Sequence, residues 1–463
     1  DDAAGMGITT IHKAHTIGMN VSIKHASDGM AIVNSIEGAI NEVTDILLRM
    51  RELSMQSASD VKTDYDRDQL QKEINQYSTQ LNNMSSNIEF NNMKLLNGTF
   101  NRNISVGKTS SEVVNLSVNS VDSETLGSYE LYSDTFISST STNSHSMVKN
   151  EINNIFKDNA DYIIKGSFNE NQAKVNAGHS ARELNKSFDR ISDQTGVYSS
   201  ALTRAQITSI SSKGDYTFTL EGKSNSASTV NVAIENNKDL TQLKDAINSV
   251  TGSTGISASL TSDLSGVNLI QDEGYHIIMG DVTGSGNIVI DSVKKHDNGT
   301  VDVIGSSITL NGTSSNGDSA LISGQVFLSS HKAFTITPGD NDNIFSNGNS
   351  NLNQSIHKSV NEIDISTQNG GNNALTIIDS ALTMISAMRS ELGAKSKQFA
   401  VSIGNLTNIS MNTDKANGLK EDANFAENTS QLAKSQIIQQ SSSSMIAQAN
   451  NVKNFLLSLM NLN

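Results

Sequence analysis

Val33, Ile36, Ile40, Val43, Leu47 and Met50 are spaced alternately three and four residues apart. Leu70, Ile74, Tyr77, Leu81, Met84 and Ile88 repeat the alternation, and Ile378, Leu382, Ile385, Leu392, Phe399, Ile403 and Leu406 fit the same frame near the other end of the chain. Such a stripe covers one face of an α-helix and cannot be buried by that helix alone. The two ends of the chain are therefore predicted to meet, with Val33, Ile40, Leu47, Ile74, Leu81, Ile385, Leu392 and Ile403 as core positions. The fold class that follows is α+β and multidomain: a long antiparallel, coiled-coil helical bundle from both chain ends, with a central β-rich α+β insert. That topology describes a building block more than a pocket.

Composition narrows the function classes. The 463 residues suffice for two to four domains. There is no cysteine, which removes disulfides, thiol catalysis and Cys-ligated zinc. A net charge of −15 argues against nucleic acid, whose phosphates require a basic surface. No segment approaches the roughly 18 apolar residues of a membrane span. The sequence opens Asp1-Asp2-Ala3-Ala4-Gly5, without a basic-then-apolar leader, which reads as a removed start or a fragment; if the protein leaves the cell, it does so without a Sec-type leader in the sequence as given.

Along the chain, residues 1–58 read as helix, softly broken at Gly18 and Gly29. Asp64 or Asp66 caps a second helix that runs to about Met93. Asn97-Gly98 is a turn signal, and Ile104–Val106 with Val113–Val118 forms a short hairpin. Leu126 to Asp134 reads as a weak connector and Ser138–Thr142 as a low-complexity linker. Two similar units follow, at about 161–202 and 215–260, each with two strands, a helix and a further strand, which suggests duplication. Residues 262–345 read as strands with turns at Asn298-Gly299, Asn311-Gly312 and Asn316-Gly317, and Ile363–Ser366 as another short strand. The last helical region is broken near Gly418. The domain boundaries are 1–135 for the N-terminal half of the helical core and its hairpin, 136–370 for a surface-exposed insert, 371–420 for the returning core helix and 421–463 for the final helix.

Several stretches carry a specific likeness. Asp1-Asp2-Ala3-Ala4-Gly5, Ala26-Ser27-Asp28-Gly29, Arg49-Met50-Arg51-Glu52-Leu53-Ser54 and Glu73-Ile74-Asn75-Gln76 resemble bacterial flagellin. So do Arg389 with Leu392-Gly393-Ala394 and Met445-Ile446-Ala447-Gln448-Ala449-Asn450. The matches occupy about the first hundred and last ninety residues, in the family's order, and the central units resemble an insert motif found in many flagellins. The resemblance implies a secreted, extracellular structural subunit of the bacterial flagellar filament that polymerises through its helical ends. The alternatives are a hook–filament junction protein, which shares parts of both ends, and a surface adhesin or glycan-binding homologue. The scarcity of aromatics, 5% of the chain, counts against sugar stacking in the insert. Implied partners are other flagellin subunits, junction and cap proteins, an export chaperone on the C-terminal helix and the vertebrate innate receptor for flagellin.

The family's chain begins with a further helix, the D0 helix, ahead of the Asp-Asp-Ala-Ala-Gly stretch. The expectation is that the inner-tube stripe here, Phe425, Leu432, Ile446, Leu456, Leu457 and Leu459, lacks its usual partner and that this sequence alone forms no normal filament. For the receptor, the resemblance implies Arg49, Leu53 and Glu73. Arg49 and Leu53, four apart, share a helix face, while Arg51 and Glu52 point elsewhere. The bland reading makes Arg49 and Glu73 solvated, or partners in bridges between subunits. His12 and His15 share a face, but no third ligand joins them. No HExxH motif, phosphate loop or Ser/His/Asp pattern occurs, so no catalytic residue, metal site or cofactor is expected and the chain does not read as an enzyme.

Overall fold

The computed structural model describes residues 3–59, 61–107, 111–133, 139–142, 160–176, 178–224, 226–261, 263–295, 301–313, 318–339, 344–345, 353–421 and 425–460. Among them are α1 (Ala3–Ser57), α2 (Asp64–Asn87), α3 (Ala181–Asp189), α4 (Ser192–Thr195), α5 (Thr241–Ser249), α6 (Thr251–Thr254), α7 (Gln368–Glu421) and α8 (Phe425–Met460). The chain divides into two compact units. The terminal unit comprises Asp1–Glu37, Asn101–Ser117 and Glu391–Asn463; the larger unit comprises Gly38–Phe100 and Val118–Ser390.

In the terminal unit, α1 is continuous through Gly18 and Gly29, contrary to the expected soft breaks. Its buried stripe begins well before Val33. Thr16, Met19, Ser22, Ala26, Gly29, Val33 and Ile36 are all buried at the same three–four spacing. Thr16, Ser22, Ala26 and Gly29 are small or polar and hid the start of the stripe from a hydrophobicity reading. Gly29 is a close-approach position, since a Cβ there would stand 2.9 Å from both Phe399 Cζ and Ile104 Cδ1. Phe399, Leu392, Val114 and Leu116 complete this core. The Asn101–Ser105 and Val113–Ser117 strands pair antiparallel, as the expected hairpin. Ser22 Oγ donates to the Gly107 carbonyl at 2.6 Å and ties α1 to that hairpin.

In the larger unit, α2 starts at a capping box. Thr63 Oγ1 accepts from the Asp66 N–H, and the Asp66 carboxylate accepts from the Thr63 N–H. Of the two candidate aspartates, Asp66 therefore caps, with Thr63 as the N-cap. The helix ends at Asn87 rather than near Met93. Glu89–Phe90 and Met93–Lys94 form a tight hairpin around Asn91 and Asn92, whose φ values of 51° and 62° suit a two-residue type I′ turn.

The insert is built on the long strand Tyr198–Ile210. Its first half pairs with Gln325–Ser330, its second half with Val267–Gln271 and Asn287–Lys295. Gly127–Tyr132 pairs with Gln325–Ser330 and with Ile356–Ser359, so the expected connector is a strand within an eight-stranded sheet. Five of its six residues are buried, which erases the polar alternation that would have revealed it. Ser139–Thr142, expected as a linker, is an edge strand against Asp318–Ile322. Ile363–Ser366 is not a strand; the strand lies earlier, at Ile356–Ser359, followed by a 3₁₀ turn at Val360–Glu362. The Asn298-Gly299 and Asn316-Gly317 signals lie outside the described residues, and Val301–Asn311 ends at the Asn311-Gly312 signal.

Two segments of the insert share one element order. Ala160–Lys165, Glu170–Val175, α3, α4 and Tyr198–Ile210 match Gly214–Glu221, Ser228–Ile234, α5, α6 and Ile256–Leu260. The likeness extends to single hydrogen bonds. Thr195 Oγ1 donates to the Ile191 carbonyl at 2.9 Å, and Thr254 Oγ1 donates to the Val250 carbonyl at 3.0 Å. The glycine after each threonine has a left-handed φ, 71° at Gly196 and 67° at Gly255, and ends its helical turn. Each segment has its own core. Tyr162, Phe188 and Phe345 meet edge to face in one; Tyr216, Phe218, Leu220, Leu243 and Ile247 belong to the other.

Candidate functional site

In the larger unit the stripe positions Ile40, Leu47, Ile74, Leu81 and Ile385 are buried, as are Val33 and Leu392 in the terminal unit. Ile403 is half-buried. On α2, Leu70, Tyr77 and Met84 are only half-buried, because the inward face is centred on Ile74, Ser78, Leu81 and Ser85. Serines there take up little space and find partners: Ser78 Oγ with Asn361 Oδ1 at 3.2 Å and Ser85 Oγ with the Leu96 carbonyl at 2.9 Å. Sequence reading passed over them because a serine carries no hydrophobic signal. It also missed Gln71, which holds the segment entering α7 by donating to the Ile363 carbonyl at 3.0 Å and accepting from the Ile365 N–H at 2.6 Å.

Arg49 lies on the outward side of α1 and joins two carboxylates. Its Nη2 and Nε donate to Glu73 Oε1 at 3.1 and 3.2 Å, and its Nη1 donates to Glu52 Oε2 at 2.6 Å. Glu52 thus shares the arginine's face, as i,i+3 spacing allows, rather than pointing elsewhere. Glu52 first, and then Glu73, raise the Arg49 guanidinium above its ordinary value. Arg51 reaches the other way, donating from Nε to Asp379 Oδ1 of α7 at 2.6 Å. Within this unit α1 is therefore pinned to α2 by Arg49 and to α7 by Arg51. Leu53 is 1% exposed, so it supports the Arg49 surface from beneath and offers no surface of its own.

The terminal unit has another kind of surface. Along α8, Leu432, Ile446, Leu456, Leu457 and Leu459 are all exposed, as are Ile437, Ile438 and Phe455, and no described side chain of this helix is buried. Phe425 lies outside the residues whose side chains are described. Met6, Ile8, Ile11, Ile17 and Val21 are likewise exposed on α1, and Val401, Ile409, Met411 and Leu419 on α7. This is far more apolar exposure than a monomer's surface normally carries in one region. His15 is exposed and His12 half-buried. Among the described residues no group of three or more His, Cys, Asp or Glu is placed to hold a metal ion. No described helix is long and apolar enough to cross a membrane.

Comparison with known proteins matches these two helical regions. Family models for the bacterial flagellin N-terminal helical region and C-terminal helical region match residues 1–101 and 375–460, and a model for the flagellin hook IN motif matches 217–273. The B-type flagellin of Pseudomonas aeruginosa is 30% identical over 464 residues, spanning 99% of this chain and 91% of that protein. Flagellin D of Vibrio anguillarum is 26% identical, spanning 99% of this chain and 89% of the relative. Among solved structures, the flagellar junction protein FlgL from Legionella pneumophila aligns at a TM-score of 0.33 with 13% identity, over 89% of this chain and 100% of that one.

Proposed function

Because this chain belongs to the bacterial flagellin family, we propose a division of labour along it. The chain is a structural subunit of the extracellular flagellar filament, not an enzyme, and it polymerises with other flagellin subunits. In the proposed division, residues 1–135 and 371–420 form the core domain, 421–463 form the inner-tube helix, and 136–370 are the solvent-facing insert. The two similar insert units, 161–202 and 215–260, descend from one duplicated segment.

The observation that carries this reading is the outward display of apolar side chains on α8. Fully burying one leucine or isoleucine contributes about 1.5–3 kcal/mol. Several such side chains per subunit, covered by neighbouring copies, suffice for a polymer without covalent links. Contacts of that kind between identical chains are heterologous and propagate into a helix. The same display suits an export chaperone that shields α8 before assembly. Junction and cap proteins would meet the polymer's ends through the same class of surface.

We further propose that the Arg49, Glu52 and Glu73 cluster, supported by Leu53, is the place where a vertebrate innate receptor for flagellin docks. The pairing of Arg49 with Glu73 within one chain presents both residues in a fixed arrangement.

Assembly tests the main proposal. Placed in subunits that also carry the family's D0 helix, the double variant Leu456→Asp and Leu459→Asp is expected to fold as the parent does, by circular dichroism and melting, and to raise the protein concentration needed for sedimentable polymer at least tenfold. Unchanged assembly of this variant would remove α8 from the polymer contacts.

A further inference from the structure

Three neighbouring strands of the eight-stranded sheet turn one face toward the start of α7. Leu202 stands opposite Gln325, Ser200 opposite Phe327, and Phe327 opposite Tyr132. Arg204 continues the same face of its strand, two residues beyond Leu202. Asn372, Asn373 and Thr376 of α7 close over these side chains and leave a cleft of about 250 Å³.

Arg204 is the unusual member of this cleft. Its guanidinium makes no hydrogen bond and no ion pair with any described residue. Burial draws it below its ordinary value, while Tyr132 and Asp272 act in the opposite direction. The chain's other buried or bridging arginines are treated differently. Arg67 donates to the Ser59 and Lys62 carbonyls, Arg182 pairs with Glu273 and lies over the Tyr275 ring, and Arg49 and Arg51 are bridged to carboxylates. Arg204 is half-buried, so its guanidinium lines the cleft, reaches solvent there and remains available to an incoming anion.

We propose that this cleft binds a small hydroxylated carboxylate, the size of one sugar acid, with its carboxylate seated on Arg204. The planar fork of an arginine matches a carboxylate with two parallel hydrogen bonds. The lining supplies the remaining recognition. The side-chain amide of Asn372 and the hydroxyls of Ser200 and Thr376 suit ligand hydroxyl groups. The Tyr132 and Phe327 rings, with centroids 4.6 Å apart, give an apolar wall for the face of a sugar ring. The volume lies just below the roughly 300–1,000 Å³ range of ordinary ligand sites, which limits the occupant to a single small unit. On a chain of net charge −15, an anion is retained only where a local cation outweighs the general repulsion. Phosphate shares the required charge but not the planar geometry.

Titration calorimetry on the full chain with D-glucuronate, D-glucose and inorganic phosphate separates these chemistries. Glucuronate is expected to bind at least tenfold more tightly than either of the others. Arg204→Gln is expected to lose at least tenfold in glucuronate affinity while its melting temperature stays level, since the half-buried guanidinium holds no hydrogen bond or ion pair with a described residue. Arg204→Lys, which keeps the charge without the fork, is expected to bind more weakly than the parent, and it serves as the deciding variant if Arg204→Gln does not fold. The proposal is overturned by absence of glucuronate binding up to about 10 mM, by glucose or phosphate binding as well as glucuronate, or by undiminished glucuronate binding in the arginine variants.

Discussion

The strand Tyr198–Ile210 and the helix α8 are both rich in side chains that avoid water, and they place them in opposite environments. The strand buries alternate residues, Ala201, Thr203, Ala205 and Ile207 among them, beneath strands and helices of its own insert. On α8 the apolar residues recur along the helix, yet Leu432, Ile437, Ile446, Phe455 and Leu457 all remain in contact with solvent. The insert is complete within one chain. The terminal unit buries an inner stripe, from Thr16 through Phe399, and presents a second apolar surface that the described residues leave exposed. In a polymer subunit this difference separates folding from assembly, and substitutions on the two sides should therefore be read by different assays.

The sharpest way to break the comparison is Phe218→Ala, which empties part of the insert core. It is expected to destabilise the insert by about 3–5 kcal/mol, measured by denaturant unfolding, while polymer yield below the lowered transition stays unchanged. Coupled loss of assembly would show that the insert and the helical ends do not act separately.

Acid should discriminate next. His276 is enclosed, its Nδ1 meets Ser323 Oγ at 3.0 Å and its Nε2 has no partner. Burial holds it down to about 4, with Glu183 pulling weakly the other way. The unfolded chain takes up this proton near 6.5 and the folded chain only near 4. The imidazole's contribution is therefore intact above pH 6.5 and is lost as pH falls from 6.5 to 4, by at most about 3 kcal/mol. Urea midpoints at pH 7 and pH 5 should differ accordingly, and His276→Gln should flatten that difference.

Gly29→Val tests the terminal unit's inner stripe. The added carbons meet Phe399 and Ile104, and overpacking of this kind costs about 1–3 kcal/mol. If Gly29 were a flexible joint instead, the change would stiffen α1 and raise the melting temperature. The smallest effect belongs to Arg49→Ala. Its bridges are exposed, so the melting temperature should barely move, whereas the docking proposal expects activation of the innate receptor in a reporter assay to fall at least tenfold. Unaltered activation would leave Arg49 with the pairing role alone.

The sequence disclosed those parts of the fold in which large apolar residues alternate at helical spacing, as from Val33 to Met50. It concealed the same stripe where small residues continue it, at Ser22, Ala26 and Gly29, because their role is to let another helix or hairpin approach. Gly127–Tyr132 was illegible for the opposite reason: when both faces of a strand are buried, the alternation disappears. Among candidate sites, Arg49 and Glu73 were identifiable one by one, but their pairing with each other and with Glu52 depends on how α1 and α2 lie side by side. Arg204 gave no signal at all, since a lone arginine in a strand of threonines and alanines acquires meaning only when the sheet and α7 enclose it.

Hydrogen exchange compared between monomeric and polymerised protein tests the separation of folding from assembly most directly. The account predicts rapid exchange over residues 425–460 in the monomer, strong protection of that helix in the polymer, and no change across the strands of 198–330. Protection gained chiefly in 198–330, with 425–460 still exchanging freely in the polymer, would contradict it.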